Sequence, residues 1–288
     1  MNVLSLFDGM SCGQIALERA GIKVDNYFAS EIKKHAIMVT QDNYPDTVQI
    51  GDVCEVKAKD LPKIDLIIGG SPCQDFSQAN MNRDGLSGEK SKLFFEYLRI
   101  LNEVRDINPD VKFLLENVVM EAEQESIVSN YMGITPVRIN SELVSPQLRD
   151  RLYWTNICDI TTDLFGGLVS NIKQPDNKKI FLQDILEGAY TERAKAKALL
   201  ESDSRPLKSQ DKIWRRYNLI GFTTIVFESP DLDWRKGVRY LNQNELEKCQ
   251  TVPPGYTKIL NRNKAACLLG DGWTVDVIVH ILKQGELK

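Results

Sequence analysis

The stretch "NVLSLFDGMSCGQIALERAG" (residues 2–21) decides the fold. An apolar run suited to a strand gives way to a turn bearing Gly9, and the turn opens an amphipathic helix that Gly21 is placed to close. Strand, glycine turn and helix in that order form the first half of a βαβ unit, in which backbone can approach a ligand closely at the strand end. The turn lacks the G-x-G-x-x-G spacing, so by itself it identifies no ligand.

Outward from this unit the alternation continues. Strands are expected near 2–7, 25–31, 47–50, 64–70, 111–117, 135–144 and 151–157, and helices near 13–20, 32–43, 92–107 and 121–131. The third helix places Leu93, Phe94, Tyr97, Leu98, Leu101 and Val104 at helical spacing. This order predicts an α/β domain with a mostly parallel sheet covered on both faces. From about 158 to 240 the pattern dissolves into polar stretches such as "SNIKQPDNKK" and "ESDSRPLKSQDK", which predict a smaller, irregular lobe. Order returns at 242, and 261–283 again has helical apolar spacing.

Composition sets bounds. The 288 residues suffice for one large domain with a smaller lobe, and 42% hydrophobic with 26% charged residues is ordinary for a globular protein. No apolar run approaches the roughly 20 residues of a membrane helix. The N-terminus reads as a structural element, not an export signal, so a cytoplasmic location and no membrane partner are expected. Six scattered cysteines with no C-x-x-C pair, and only His35 and His280 beside them, predict no metal site. Two histidines in apparent helices also disfavour Ser/His/Asp and Cys/His hydrolases. The net charge of −4 averages the whole surface and excludes no partner, whereas "RPLKSQDKIWRRY" (205–217) sets five basic residues, Arg215 and Arg216 among them, against one acid. With Trp214 and Tyr217 interleaved, this segment suits phosphate contact; a solvated helix face is the alternative.

Three strand ends point at one ligand. Glu31, closing "YFASE", can accept hydrogen bonds from ribose hydroxyls, and Asp52 in "QIGDV" can accept one from an adenine amino group. A helix-start acid and a turn former are the alternatives for these two residues, but with Gly9 their convergence favours an adenosine-like ligand. A fourth strand end, "DLIIGGSPCQDFSQAN" (65–80), puts Cys73 in a polar loop at the same edge. A fifth, "FLLENV", carries Glu116 and Asn117, and a buried acid there needs a partner. In "SPQLRDRLYW", Gln147, Arg149 and Arg151 alternate at period two and share a face if the segment is extended.

A thiolate, a carboxyl group and arginines beside an adenosine cofactor suit methylation at carbon 5 of cytosine. Thiolate addition at carbon 6 makes carbon 5 nucleophilic, an acid at ring nitrogen 3 favours that addition, and an arginine at the ring oxygen helps likewise. Cys73, Glu116 and Arg151 fit these roles.

The chain resembles the DNA (cytosine-5) methyltransferase family through "LFDGMSCG", "SE" at 30–31, "GDV", "GGSPCQDFS", "LFFEYLRIL", "LLENV", "QLRDR", "RYLNQNELEKCQTVPPGY" and "LLGDGWTVDVIVHIL". The resemblance implies a Rossmann-like S-adenosyl-L-methionine-dependent domain over 1–157 and 259–288, with a target-recognition lobe over 158–258. It implies a cofactor site at Phe7, Gly9, Glu31, Asp52 and Val53. It further implies a Cys73 nucleophile, a Glu116 base contact supported by Arg149 and Arg151, and nucleic-acid contacts at Ser77, Gln147, Arg215 and Arg216. The implied substrate is a cytosine flipped out of double-stranded DNA. Ser5 and Asp8 exchange the residue types usual in bacterial members, and "GDGWTVDV" carries a Trp; both features resemble the eukaryotic de novo branch, which points to a homodimer. Three rivals are a transfer RNA cytosine-5 methyltransferase, a silent DNA-binding homologue, and transfer of a larger group from a modified donor. The first usually carries Cys-Phe-Thr where this chain reads "GFTT" with Gly221, and the second need not have kept every catalytic residue type.

Overall fold

The computed structural model describes residues 1–71, 91–162, 166–221, 223–285 and 287, without the side chains of Ser91, Glu201, Ser202 and Ile220. Two packing units divide the chain: Met1–Ile139 with Asp150–Gln174 and Val279–Lys288, and Asn140–Arg149 with Pro175–Ile278. These units are cut by packing and do not follow the limits 158 and 259 read from composition and motif.

The first unit is built on a seven-stranded sheet. Its strands are β1 (Asn2–Leu6), β2 (Asn26–Ser30), β3 (Val48–Gln49), β4 (Leu66–Gly69), β5 (Lys112–Val118), β6 (Val137–Asn140) and β7 (Asp150–Thr155), in the order β3-β2-β1-β4-β5-β7-β6. The pairs from β3 through β5 are parallel, and β7 runs antiparallel to β5. Helices α1 (Cys12–Ala20), α2 (Lys34–Asn43), α3 (Ser91–Ile107) and α4 (Ala122–Met132) supply the crossovers and cover. A mixed α/β fold of this kind places all the carboxyl ends of β1 to β5 along one edge.

Alternation along the strands sorts the two faces. Leu4 and Leu6, Ile67, Phe113 and Leu115, and Leu152 and Trp154 form one core with Phe94, Tyr97, Ile100, Leu101 and Val104 of α3 and Val128 and Met132 of α4. On the other face α1 lies so close that a Cβ on Gly13 would come within 2.3 Å of Ile68 and 2.8 Å of the Tyr27 hydroxyl. Gly69 is likewise dictated by packing, because a Cβ there would sit 2.8 Å from the Leu6 carbonyl and 3.0 Å from the Tyr97 ring. Small strands β8 (Ile160–Thr162) and β9 (Leu168–Ser170) pair antiparallel in the same unit.

In the second unit α5 (Gln210–Ile220) packs on the antiparallel pair β10 (Ile225–Phe227) and β11 (Val238–Tyr240). Ile213, Tyr217, Ile225, Phe227, Val238 and Tyr240 form a core of their own, with Trp214 and Trp234 packed against it. Then come α6 (Gln243–Cys249), α7 (Arg262–Asp271) and α8 (Val275–Gln284), the last crossing into the first unit.

Two expectations need correction. The strand expected over 135–144 stops at Asn140, whose side chain accepts the Glu142 N–H and starts a 3-10 turn. The continuous helical spacing of 261–283 is two helices, α7 and α8, separated at Gly272–Thr274. Among the described residues, 262–284 is the one stretch apolar enough to cross a membrane, and over half of its most apolar window is buried, as in core helices.

Candidate active site

At the end of β1 the backbone turns sharply. Phe7, Gly9 and Ser11 all have φ near +60°, a region costly for Phe7 and Ser11 but free for glycine. A Cβ on Gly9 would meet nothing within 4 Å, so the turn borders open space. The Gly9 N–H donates to Glu31 Oε2 at 2.8 Å, while Glu31 Oε1 accepts from the N–H groups of Ile32 (2.7 Å) and Lys33 (2.8 Å). Three backbone donors thus hold this carboxylate at the sheet edge and leave a lone pair on Oε2 for a ribose hydroxyl.

Asp52 lies exposed beyond β3, with Oδ1 accepting the Cys54 N–H at 2.9 Å and Oδ2 able to take an amino group. Val53 beside it is buried and begins a 3-10 turn, Val53–Glu55. The open turn at Gly9, the Glu31 acceptor and the Asp52 carboxylate fit the adenosine half of S-adenosyl-L-methionine.

Asp8 was not among the expected site residues, yet it sits at the centre of this turn. It accepts hydrogen bonds from Ser11 Oγ and from the Tyr27 hydroxyl at 2.8 Å. Burial pushes its carboxyl up to about 6, opposed by hydrogen bonds from Ser11, Ser5 and Tyr27 and reinforced by the charge of Glu31. No sequence period announces the Tyr27 contact, because it depends on how α1 lies over the sheet.

Arg99 was also missed. Its guanidinium donates to the carbonyls of Val53 (3.2 Å) and Val56 (3.0 Å) and to Glu96 (2.7 Å) and Glu103 (2.6 Å), while Glu103 accepts the Ala58 N–H at 3.0 Å. Helix α3 is thereby fastened to the loop carrying Asp52 and Val53. In the sequence Arg99 looks like any charge on the outer face of an apolar helix.

At the ends of β4 and β5 the second half of the site assembles. Glu116 is 8% exposed, and its Oε1 lies 2.9 Å from Arg151 Nε. Glu116 stands opposite Tyr153 in the β5–β7 ladder, so Arg151, two residues away, is its diagonal same-face neighbour. The buried acid has the partner that it needs. Asn117 is buried, with Nδ2 3.4 Å from Ser71 Oγ, a long bond that ties β5 to the residue two before Cys73. Cys73 and Ser77 themselves lie outside the described residues.

Gln147, Arg149 and Arg151 do not act as one face. Only Arg151 is in a strand of the large sheet. Gln147 is fully buried and its Nε2 is 3.4 Å from the Lys197 carbonyl, so it presents no surface to a nucleic acid. Arg149 donates to the carbonyls of Gly270 (3.0 Å) and Gly272 (2.8 Å), the C-terminal end of α7, where a guanidinium complements the helix dipole. Lys195 holds the same loop through the carbonyls of Glu142 (2.7 Å) and Ser145 (2.9 Å). Of the two basic residues expected on nucleic acid, Arg215 is exposed, whereas Arg216 is half-buried with an unpartnered Nε.

Residues 1–127 match the family model for C-5 cytosine-specific DNA methylase, a span that holds Glu31, Asp52, Cys73 and Glu116. Over these residues the chain is similar to the cytosine-5 DNA methylases. Enzymes of this family use S-adenosyl-L-methionine. Similar curated proteins include an orphan methyltransferase of Bacillus phage SPR, 33% identical over 53% of this chain and 37% of that protein. Another is a type II methyltransferase of Fusobacterium nucleatum, 40% identical over 41% of this chain and 32% of its own length. The matches thus span about a third of the curated relatives. Among solved structures, an Entamoeba histolytica methyltransferase superposes with TM-score 0.73 at 16% identity, covering 99% of this chain and 97% of its own. The S. pombe Dnmt2 methyltransferase gives 0.68 at 17% identity, covering 98% and 97%. These two likenesses establish the fold.

Proposed function

We propose that the protein is a DNA (cytosine-5) methyltransferase acting on a cytosine flipped out of double-stranded DNA. The observation that carries this reading is the buried Glu116–Arg151 pair at the β5 end, with Asn117 beside it reaching back to the start of the Cys73 segment. Cys73 adds through sulfur to carbon 6 of the ring, forming an S–C bond and moving electron density to carbon 5. Glu116 holds ring nitrogen 3 and offsets the charge that develops there, and Arg151 fixes the carboxyl and reaches the ring oxygen. Glu31, Asp52, Val53 and the Phe7–Gly9 turn would hold S-adenosyl-L-methionine, which would supply the electrophilic methyl group. Carbon 5 takes the methyl group as its bond to the sulfonium sulfur breaks and the thioether leaves; a solvent water then accepts the carbon 5 proton, and the C–H electron pair re-forms the ring double bond as the Cys73 sulfur leaves as thiolate.

Arg149, with its donors taken by the end of α7, supports the site through the backbone it braces. Residues 158–258 carry target recognition. The family matched by 1–127 is described by its DNA substrate, and Gly221 replaces the cysteine expected of a transfer RNA enzyme; both favour DNA. Cys73→Ser tests the covalent route: it abolishes methyl transfer to duplex DNA while duplex affinity stays within about twofold. Substantial turnover by that variant contradicts the mechanism.

A further inference from the structure

Helix α3 and the loop that follows Asp52 enclose a cavity of about 540 Å³, within the roughly 300–1,000 Å³ usual for small-molecule sites. It is separate from the strand ends described above, since none of Phe7, Gly9, Glu31 and Asp52 lines it. One wall is apolar. Val56 and Ala58, both buried, come from the loop, and Ile107, 51% exposed, from the last position of α3. The charged part of the lining is lopsided. Glu103 is committed to the Arg99 guanidinium and the Ala58 N–H, and Arg99 to two carboxylates and two carbonyls. Lys57 and Lys59 are exposed and form no ion pair with a described residue. Two free amines therefore stand against one free acid, Asp106, among the described residues that line the cavity.

We propose that this cavity binds a small amphipathic organic anion, its acid group at Lys57 and Lys59 and its apolar body on Val56, Ala58 and Ile107, and that occupancy holds the Asp52–Val53 loop against α3. Paired amines beside an apolar wall complement a carboxylate, sulfonate or phosphate carried on a ring. A cation would meet two like charges, and an inorganic anion would leave the apolar wall in water. A ligand that spans Lys57 and Lys59 on the loop and Ile107 on the helix fixes the arrangement that Arg99 already sets through the Val53 and Val56 carbonyls. Ligand and cofactor then favour the same loop position, so each raises the affinity for the other by the same factor. The coupling rests on the cofactor reading of Asp52 and Val53; the cavity does not.

The probe is anilinonaphthalene sulfonate, an aromatic anion whose fluorescence rises in apolar surroundings, titrated onto the folded protein with and without saturating S-adenosyl-L-homocysteine. One saturable site is expected. Lys57→Gln with Lys59→Gln weakens it about tenfold and Ile107→Ser about threefold. Lys173→Gln with Lys283→Gln, which removes two exposed amines outside the lining, leaves it unchanged. Saturating S-adenosyl-L-homocysteine tightens probe binding about fivefold. Binding that does not saturate, wild-type affinity in the Lys57 and Lys59 variant, or equal losses in both lysine pairs overturns the proposal. Displacement of the probe by S-adenosyl-L-homocysteine also overturns it, because the cavity is then part of the cofactor site. Unchanged probe affinity with S-adenosyl-L-homocysteine shown by calorimetry to be bound overturns the coupling. A protein that binds the probe as described but no S-adenosyl-L-homocysteine refutes the cofactor reading and leaves the cavity standing.

Discussion

At the scale of single residues the site is a set of carboxylates in unlike surroundings. Asp8 shows the consequence most clearly. Its carboxyl ordinarily titrates at 3.8 and is raised to about 6 by burial. The native state therefore takes up a proton near 6 and the unfolded chain only near 4, so this group adds stability as pH falls between those values and carries a penalty above them. Asp8→Asn cannot titrate. Its stability relative to wild type therefore declines as pH is lowered from about 7.5 to about 4.5, measured by urea unfolding, and a gap independent of pH contradicts the account. The positions of Glu31, just past β2, and Glu116, inside β5, were readable in the sequence because each breaks an apolar run; the roles given to them are proposals. The partners of Asp8 were not readable, since Tyr27 and Ser11 reach it only once α1 is laid on the sheet. The shared face of Gln147, Arg149 and Arg151, expected if the segment is extended, does not form, because period-two spacing sets side-chain direction only inside a strand and β7 begins at Asp150.

Elements connect these residues. Helix α3 leads away from residues 72–90, packs its apolar face on the sheet, and fastens the Asp52–Val53 loop through Arg99 and Glu103. Arg99→Ala weakens binding of S-adenosyl-L-homocysteine by about tenfold, or about 1.4 kcal/mol, and raises the cofactor KM while kcat changes little. Arg99→Lys does not restore it, because an ammonium cannot spread over carbonyls and carboxylates as a planar fork does. Calorimetric titration checks this; unchanged affinity with a lowered melting temperature reduces Arg99 to a structural role. Strands and early helices were predicted closely because burial on a covered sheet writes continuous apolar runs. Breaks such as Gly272–Thr274 leave no mark in apolar spacing, and Asn140 as a turn-former shows only in its side-chain bond.

Across the whole molecule, Phe7, Gly9, Glu31, Asp52, Val53, Glu116 and Arg151 lie in the first unit and Arg149 in the second, which also carries a separately packed module with a basic outer face. The α/β order of the first was readable from alternation. The second lacks long periodic segments, so its core of Ile213, Tyr217, Phe227 and Val238 could not be foreseen from spacing. The proposed function is selection of a DNA cytosine and its methylation at carbon 5. The most direct test incubates the protein with a mixed-sequence duplex and S-adenosyl-L-methionine labelled in its methyl group, then maps methylcytosine by bisulfite sequencing. The expected result is label in 5-methyl-2′-deoxycytidine at a fixed sequence context. Label in transfer RNA alone, or in neither nucleic acid, contradicts it.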